Sequence, residues 1–518
     1  MTNAAIALPP APLRWPRPGS MRFKLAVALG LVGLGDMLFW HDWIGGLALG
    51  FYGLALIVAM LAVRPAIRRD PRALAALAVA AFAALAMAWD ASHLAWSLFW
   101  AAAAMASLLP RAGPMDDGWR WLQRLAYHTL AASLGGLLDH VRVLRVRRQR
   151  QYARLTLTGL IRVVALPLTG SLVVVMLFAA ANPVIEDALD AISLPRLDAE
   201  MILRALLWLV LFTLAWSLLR PRSARRLLAT FDGSGDIALP GVSIASVLLS
   251  LAMFNALFAL QNAMDAAWLW GLAPLPEGMT LAQYAHRGAY PLIATALFAG
   301  VFVLVFLRPG STTAREPWIR RLVVLWIGQN LFLVASSALR TMDYVEAYSL
   351  TRLRIAALLW MGLVAVGLVL IVWRMLRGKS AGWLINTNLA AAGLLLAVVS
   401  VVDLGAIAAQ WNVRHAREVD GTGAQIDLCY LRWLGSPALL PLIELEQGNA
   451  PTDLRHRAGW VRRQVQVDLT HRIASTGGSM VDRIRLERAS ALAADTSDAY
   501  PDDRDCQGRV IPPYAPNY

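Results

Sequence analysis

The sequence predicts an all-α, polytopic helical membrane fold of about 11 transmembrane helices with a small helical extracytoplasmic C-terminal domain. Three observations predict it. Hydrophobic residues make up 58% of the 518 residues and charged residues only 16%, against about 25% charged in a soluble globule. The apolar residues gather into eleven stretches near the length of about 20 that a spanning helix needs. Arginine is distributed very unequally between the segments that alternate along those stretches.

Residues 1–22 are Pro-rich and read as a disordered cytoplasmic N-terminus, with Met21 a second possible start. No small-residue cleavage site follows the first apolar stretch, so a cleaved signal peptide is not expected. The spans are expected at 23–40, 43–63, 73–88, 92–109, 161–181, 203–219, 241–262, 288–307, 319–339, 355–373 and 383–404. Arg64-Pro65, Arg220-Pro221, Arg308-Pro309 and Arg374 close several of them. The expected parts are a four-helix membrane part at 23–109, an amphipathic and basic cytoplasmic segment at 110–160, a seven-helix core at 161–404 and a periplasmic tail at 405–518. Within 119–138, Trp and Leu alternate with Arg120, Arg124 and His128, which suits a helix lying in the interface rather than crossing it.

Orientation follows from the excess of Lys and Arg on cytoplasmic loops. With the N-terminus inside, the inner loops hold 29 basic against 7 acidic residues and the outer loops 5 against 11. The tail carries 13 Arg and 14 Asp or Glu, so the net charge of +14 sits on the inner face. There it attracts anionic lipid headgroups, which removes the basis for a nucleic-acid partner. The expected location is a bacterial inner membrane, N-terminus in the cytoplasm and C-terminus in the periplasm. Cys429 and Cys506, the two cysteines, both fall in the tail. An oxidising compartment permits a disulfide between them, and two free thiols are the other reading. In the tail, Leu454, Ala458, Val461, Val465, Leu469 and Ile473 recur at helical spacing, and Leu431, Leu434, Leu439 and Leu442 suggest a helix after Tyr430.

Ionisable groups inside spans are costly and default to functional hypotheses. Asp36 lies deep in the first span, with Gly30, Gly33 and Gly35 able to admit a close neighbour. Asn255, Asn262 and Asp265 share one face of span seven, beside Gln261. Gln329, Ser336, Arg340 and Asp343 share one face of span nine, and Asn386, Gly393, Ser400 and Asp403 one face of span eleven. These three stripes are expected to face each other, either as interhelical hydrogen bonding or as the lining of a ligand cavity. The outer ends add Glu277, Tyr284, His286, Arg287, Glu346, Tyr348, Arg352 and Arg354. Such arginines can grip a carboxylate or phosphate, while the tyrosines and Trp268 and Trp270 equally suit a headgroup belt. Asn262, Asp265, His286, Arg287, Gln329, Arg340, Asp343, Glu346, Arg352 and Asp403 are the candidate ligand-binding residues.

Several motifs occur in order: Asn182-Pro183-Val184; Tyr284 to Pro291; Tyr344 to Arg354; Asp403 through Asn412-Val413; and then Asp427, Tyr430-Leu431, Leu434-Gly435, Pro437-Ala438 and Leu442. Over about 140–450 the chain therefore resembles a bacterial membrane family catalogued as a domain of unknown function, of the 4153/4173 type. The resemblance implies a multi-pass fold and brings no activity, cofactor or catalytic residue.

Enzyme signatures are weak. Gly378-Lys379-Ser380 ends like a phosphate-binding loop, but Trp373 stands where its first Gly belongs. The eight His show no paired metal-ligand spacing, and His286 with Glu277 is a thin basis for acid–base work. No cofactor and no metal is expected, the Asp502-Asp503 and Asp505 cluster reading as solvated. The leading expectation is a non-enzymatic scaffold, sensor or regulator meeting a membrane or periplasmic protein through its outer loops and tail. A transporter or lipid translocator using the stripes, and a transferase acting on lipid headgroups, are the alternatives.

Overall fold

A computed structural model describes residues 20–40, 45–112, 117–133, 198–224, 227–229, 243–269, 297–308, 310–493 and 503–511, with a few positions between 167 and 174 and at 295. Among them there is no strand, and Arg504 and Val510 form an isolated bridge. Eight helices are long and apolar enough to cross a membrane. They account for expected spans two, three, four, six, seven, nine, ten and eleven. The first expected span is a helix of 19 residues that carries Arg22, Lys24 and Asp36 and is not among the eight. The eighth is described over Leu297–Phe306, and the fifth, 161–181, lies outside the described residues except at scattered positions.

The first group of helices is α1 (Met21–Phe39), α2 (Gly46–Val63), α3 (Pro71–Trp89), α4 (His93–Leu108), α5 (Gly118–Ser133) and α6 (Ala199–Leu219). Capping explains many of their starts: Ser20, Asp70 and Ser92 accept from the N–H of Phe23, Arg72 and Ala95, satisfying donors that a helix cannot pair internally. Helix α2 packs on α3 through small residues. A methyl group at Gly50 would lie 2.6 Å from the Ala84 carbonyl oxygen, and one at Gly53 3.1 Å from Ala84 Cβ. In hydrocarbon, association rests on such close packing. Gly35 does the same between α1 and α6, where Leu211 fills the space, whereas Gly30 and Gly33 meet nothing within 4 Å. Although sequence order groups α6 with the later spans, its Leu211, Ala215, Trp216, Leu218 and Leu219 share the core of α1–α4.

The second group is α7 (Ile244–Leu269), α8 (Leu297–Phe306), α9 (Pro317–Tyr348), α10 (Arg352–Arg377) and α11 (Ala381–Val399). Its core centres on Trp326, which is fully buried among Phe254, Phe258, Phe298 and Phe302. Helix α9 has 32 residues, about 48 Å at 1.5 Å each, so it outruns a hydrocarbon core of about 30 Å. The residues from Arg340 to Tyr348, expected partly in a loop, are thereby helical. Gly378, in a left-handed conformation (φ +60°), ends α10, as glycine commonly does.

Span eleven departs from expectation. Helix α11 stops at Val399 and a new helix, α12 (Leu404–Arg414), starts after Asp403. Asp403 is thus a cap between two helices, not the end of a stripe that begins at Asn386. Beyond α12 come α13 (Leu428–Leu434), α14 (Leu439–Gln447), α15 (Thr452–Thr476) and α16 (Met480–Leu492). Leu431, Leu434, Leu439 and Leu442 are buried, but on two helices separated at Gly435 (φ +69°). Leu454, Ala458, Val461, Val465 and Leu469 of α15 form the middle of this core, with Ile473 partly buried against it. Cys429 and Cys506 form a disulfide across 77 residues, fastening the 503–511 segment to α13.

Candidate functional site

Two of the candidate residues named from the sequence, Arg352 and Asp403, meet at the joint between the membrane helices and the C-terminal helices. Asp403 caps α12 by accepting from Gly405 N at 2.8 Å and Ala406 N at 3.1 Å. Its second oxygen accepts from Arg485 Nη2 of α16 at 2.6 Å, and Arg352 at the start of α10 stands 4.0 Å away. One carboxylate therefore ties three helices. Arg352 N in turn donates to the Tyr430 hydroxyl of α13 at 3.0 Å, and its guanidinium lies over the Trp433 ring at 5.9 Å.

The turn between α9 and α10 completes the joint. Ser349 has φ +69° and ψ 164°, a region other residues than glycine avoid at a cost of about 1–3 kcal/mol. Arg354 Nη1 holds that turn by donating to the Tyr348 and Ser349 carbonyls, with its guanidinium 4.0 Å from the Tyr344 ring. Asn412 of α12 bonds both backbone groups of Leu350. Val345, Leu350 and Ala408 are buried beneath, with Ile355, Trp411 and Tyr430 around them. Two of the sequence motifs, Tyr344 to Arg354 and Asp403 to Asn412, are thus opposite sides of one contact.

Electrostatics at the joint are unbalanced at Asp90, just past α3. Burial raises its carboxyl above the usual range, and Asp403 and Asp482 raise it further, against the opposing pull of Arg485 and Arg352. At the other end of the first group, Lys24, Arg64, Arg111 and Arg220 lie within reach of one another. Arg64 and Arg111 donate to the Leu218 and Pro221 carbonyls at the end of α6, where the helix dipole favours cations. Burial, with Arg111 adding to it, pushes Arg64 down to about 10.

The stripes of α7 and α9 do face each other. Asp265 accepts from Arg340 Nη2 at 2.8 Å, from Ser336 Oγ at 3.0 Å and from Gln261 Nε2 at 3.2 Å, and both ends of the ion pair are buried. Asn262 donates to the Gln329 carbonyl at 3.1 Å, and Asn255 to the Leu322 carbonyl at 3.0 Å. These contacts join α7 to α9, while Asn262 Oδ1 and Gln329 Oε1 remain buried without a hydrogen-bond partner. The third stripe does not join them: Asn386 accepts from Gly118 N of α5 at 2.6 Å, which seats the amphipathic helix against α11. Asp343 and Glu346 lie on the exposed face of α9. His286 and Arg287 fall outside the described residues, as do Glu277 and Tyr284.

Asp36 is partnered in a way the sequence did not signal. Arg204 of α6 grips both its oxygens, at 2.9 and 2.6 Å, and Trp208 Nε1 donates at 2.7 Å. Arg485 and Arg204 had no spacing signal, since each is a lone arginine opposite an acid far away in the chain.

Between α8, α10 and α11 runs a groove of about 590 Å³, lined by Leu297, Val301, Trp360, Gly367, Leu384 and neighbouring apolar side chains, with Asn388 its one polar member. Such a lining suits hydrocarbon and offers a polar solute little beyond Asn388. Among the described residues no three His, Cys, Asp or Glu stand together as metal ligands.

Compared with known proteins, residues 26–445 match the profile of the family described as "Domain of unknown function (DUF4153)". The match reaches from α1 to α14, so it takes in helices α1–α4, which the motif resemblance left out. No curated protein and no solved structure matches the chain.

Proposed function

The chain belongs to the DUF4153 family, whose description carries no activity, and we propose from its own geometry that it is a non-catalytic membrane platform for a protein partner. In this reading the spans hold the C-terminal helices at a fixed attitude over the bilayer surface. The arginine asymmetry supports a reading in which those helices lie in the periplasm, with the N-terminus in the cytoplasm and the basic loops on anionic headgroups.

The carrying observation is the joint. Asp403, Asn412, Arg352, Arg354 and Tyr430 all bond to backbone, to a helix end or to another member of the joint, so these side chains are spent on holding helices together. The same economy argues against a polar transport path along α7 and α9, where Asn262, Asp265 and Arg340 are engaged with each other's helices. Trp433, 70% exposed and stacked on Tyr430, is the more exposed of two aromatics, with Tyr348, that the joint presents outward, and exposed aromatics are frequent anchors for partners.

A photo-crosslinking residue in place of Trp433, in the full chain in cells, tests the proposal. It should yield a discrete protein adduct that fades when Asp403→Asn loosens the joint, while the chain remains in the membrane. Adducts to lipid alone, or an adduct indifferent to Asp403→Asn, would count against it. Thiol labelling of reduced Cys429 from the cytoplasmic side would overturn the orientation.

A further inference from the structure

We infer that the groove between α8, α10 and α11, together with Arg374, is a binding site for one anionic phospholipid. Arg374 is 2% exposed, its Nε is buried without an acceptor, and no carboxylate among the described residues pairs with it. A buried guanidinium without a counter-charge is costly, so its place in the fold calls for an anion. On α10 it follows Ile371, Gly367, Val364 and Trp360 at spacings of 3, 7, 10 and 14, which places it on the face that lines the groove. It lies about 4.5 Å beyond Ile371, the last groove residue of α10 in that direction.

The same end gathers further positive charge. Arg377 and Lys379 are exposed on the α10–α11 turn, and the N-terminus of α11, with its outward N–H groups, begins at Ala381. Asp117, beside Gly382, is already engaged as the cap of α5, accepting from Arg120 N at 3.0 Å. Basic pockets between membrane helices take anionic headgroups in general. The occupant is then set by both halves of the site: a hydrocarbon chain for the apolar groove, whose volume lies within the range of about 300–1,000 Å³ typical of ligand sites, and a phosphate for Arg374. Free phosphate would leave the groove unused, and a zwitterionic lipid would bring its own cation to an end already crowded with Arg374, Arg377 and Lys379. The lipid belongs to the leaflet at the arginine-rich ends of the spans.

Native mass spectrometry of the full chain extracted from vesicles of phosphatidylcholine and phosphatidylglycerol in equal parts tests this. One phosphatidylglycerol should stay with each chain in preference to phosphatidylcholine. Arg374→Met should weaken that preference about fivefold, the effect of about 1 kcal/mol per basic residue, and should raise the melting temperature in neutral detergent, because it removes an unpaired buried charge. Val301→Trp, at an exposed position on the groove wall, should fold normally and lose the lipid. Equal retention of both lipids, an unchanged preference in Arg374→Met, or a groove occupied by a second copy of the chain would each overturn the inference.

Discussion

Asn412 clasps Leu350 by both of its backbone groups: Leu350 N donates to Asn412 Oδ1 at 2.6 Å, and Asn412 Nδ2 donates to the Leu350 carbonyl at 2.9 Å. The two residues are buried and 62 positions apart. A side-chain amide here mimics a strand partner, satisfying both backbone groups of Leu350. Asn412→Asp keeps the shape but replaces the donor with an oxygen facing the Leu350 carbonyl. A buried group left unpaired costs about 1–3 kcal/mol. The expected result is a chain that inserts normally but whose C-terminal helices become sensitive to limited proteolysis. Protection equal to wild type would show that the clasp does not hold the joint.

The charges of the joint and of the membrane interface were visible in the sequence, but their pairing was not. Helical spacing put Asn262 with Asp265 and Ser336 with Arg340, and those faces do meet, because a polar stripe in hydrocarbon has nowhere else to go. Spacing failed at Asp403. Periodicity reads through a helix break, and the break after Val399 is made by a cap whose partners, Arg352 and Arg485, lie 51 and 82 residues away. Arg204 was hidden for the same reason. An ion pair between distant helices has no local signature, whereas the burial of Leu454 to Leu469 has one.

The Asp265–Arg340 pair gives a sharper test of what the stripes are for. Removing one partner leaves the other charge buried and uncompensated, a loss of about 3–5 kcal/mol, while replacing both with apolar residues is often near neutral. Arg340→Leu should therefore lower the amount of folded chain recovered in mild detergent. Asp265→Leu combined with Arg340→Leu should restore much of it, as read by size-exclusion profile and melting temperature. If the double variant is as unstable as the single one, the pair has a role beyond joining α7 to α9.

The disulfide between Cys429 and Cys506 closes a loop of 77 residues. In the chain-entropy view such a closure stabilises by about 4.5 kcal/mol. The effect should be local, because the 503–511 segment rests on this bond and on Gln507, which donates to Asp427 at 2.9 Å and accepts from Leu428 N at 3.2 Å. Cys506→Ser should raise hydrogen exchange in α13 and α15 while leaving α1–α4 unchanged. Equal exchange throughout would mean that the core around Leu431 and Val461 is stable without the bond.

Asp90 makes the joint pH-dependent, and the sign follows from its surroundings. It is hemmed by burial and by Asp403 and Asp482, with Arg485 and Arg352 opposing them, and the net effect is a raised pKa. A carboxyl whose folded pKa is raised favours the folded state while protonated and loses that contribution as pH rises through the raised value. Docking of α16 on α3 should therefore tighten as the medium is acidified and loosen as pH rises. Asp90→Asn holds the side chain neutral at every pH, so it should flatten that profile. Amide exchange of residues 480–492 at several pH values reads this directly, since the loops at the arginine-rich end provide an internal reference that Asp90 does not touch. A wild-type profile that loosens on acidification would reverse the sign and place the controlling group elsewhere in the cluster.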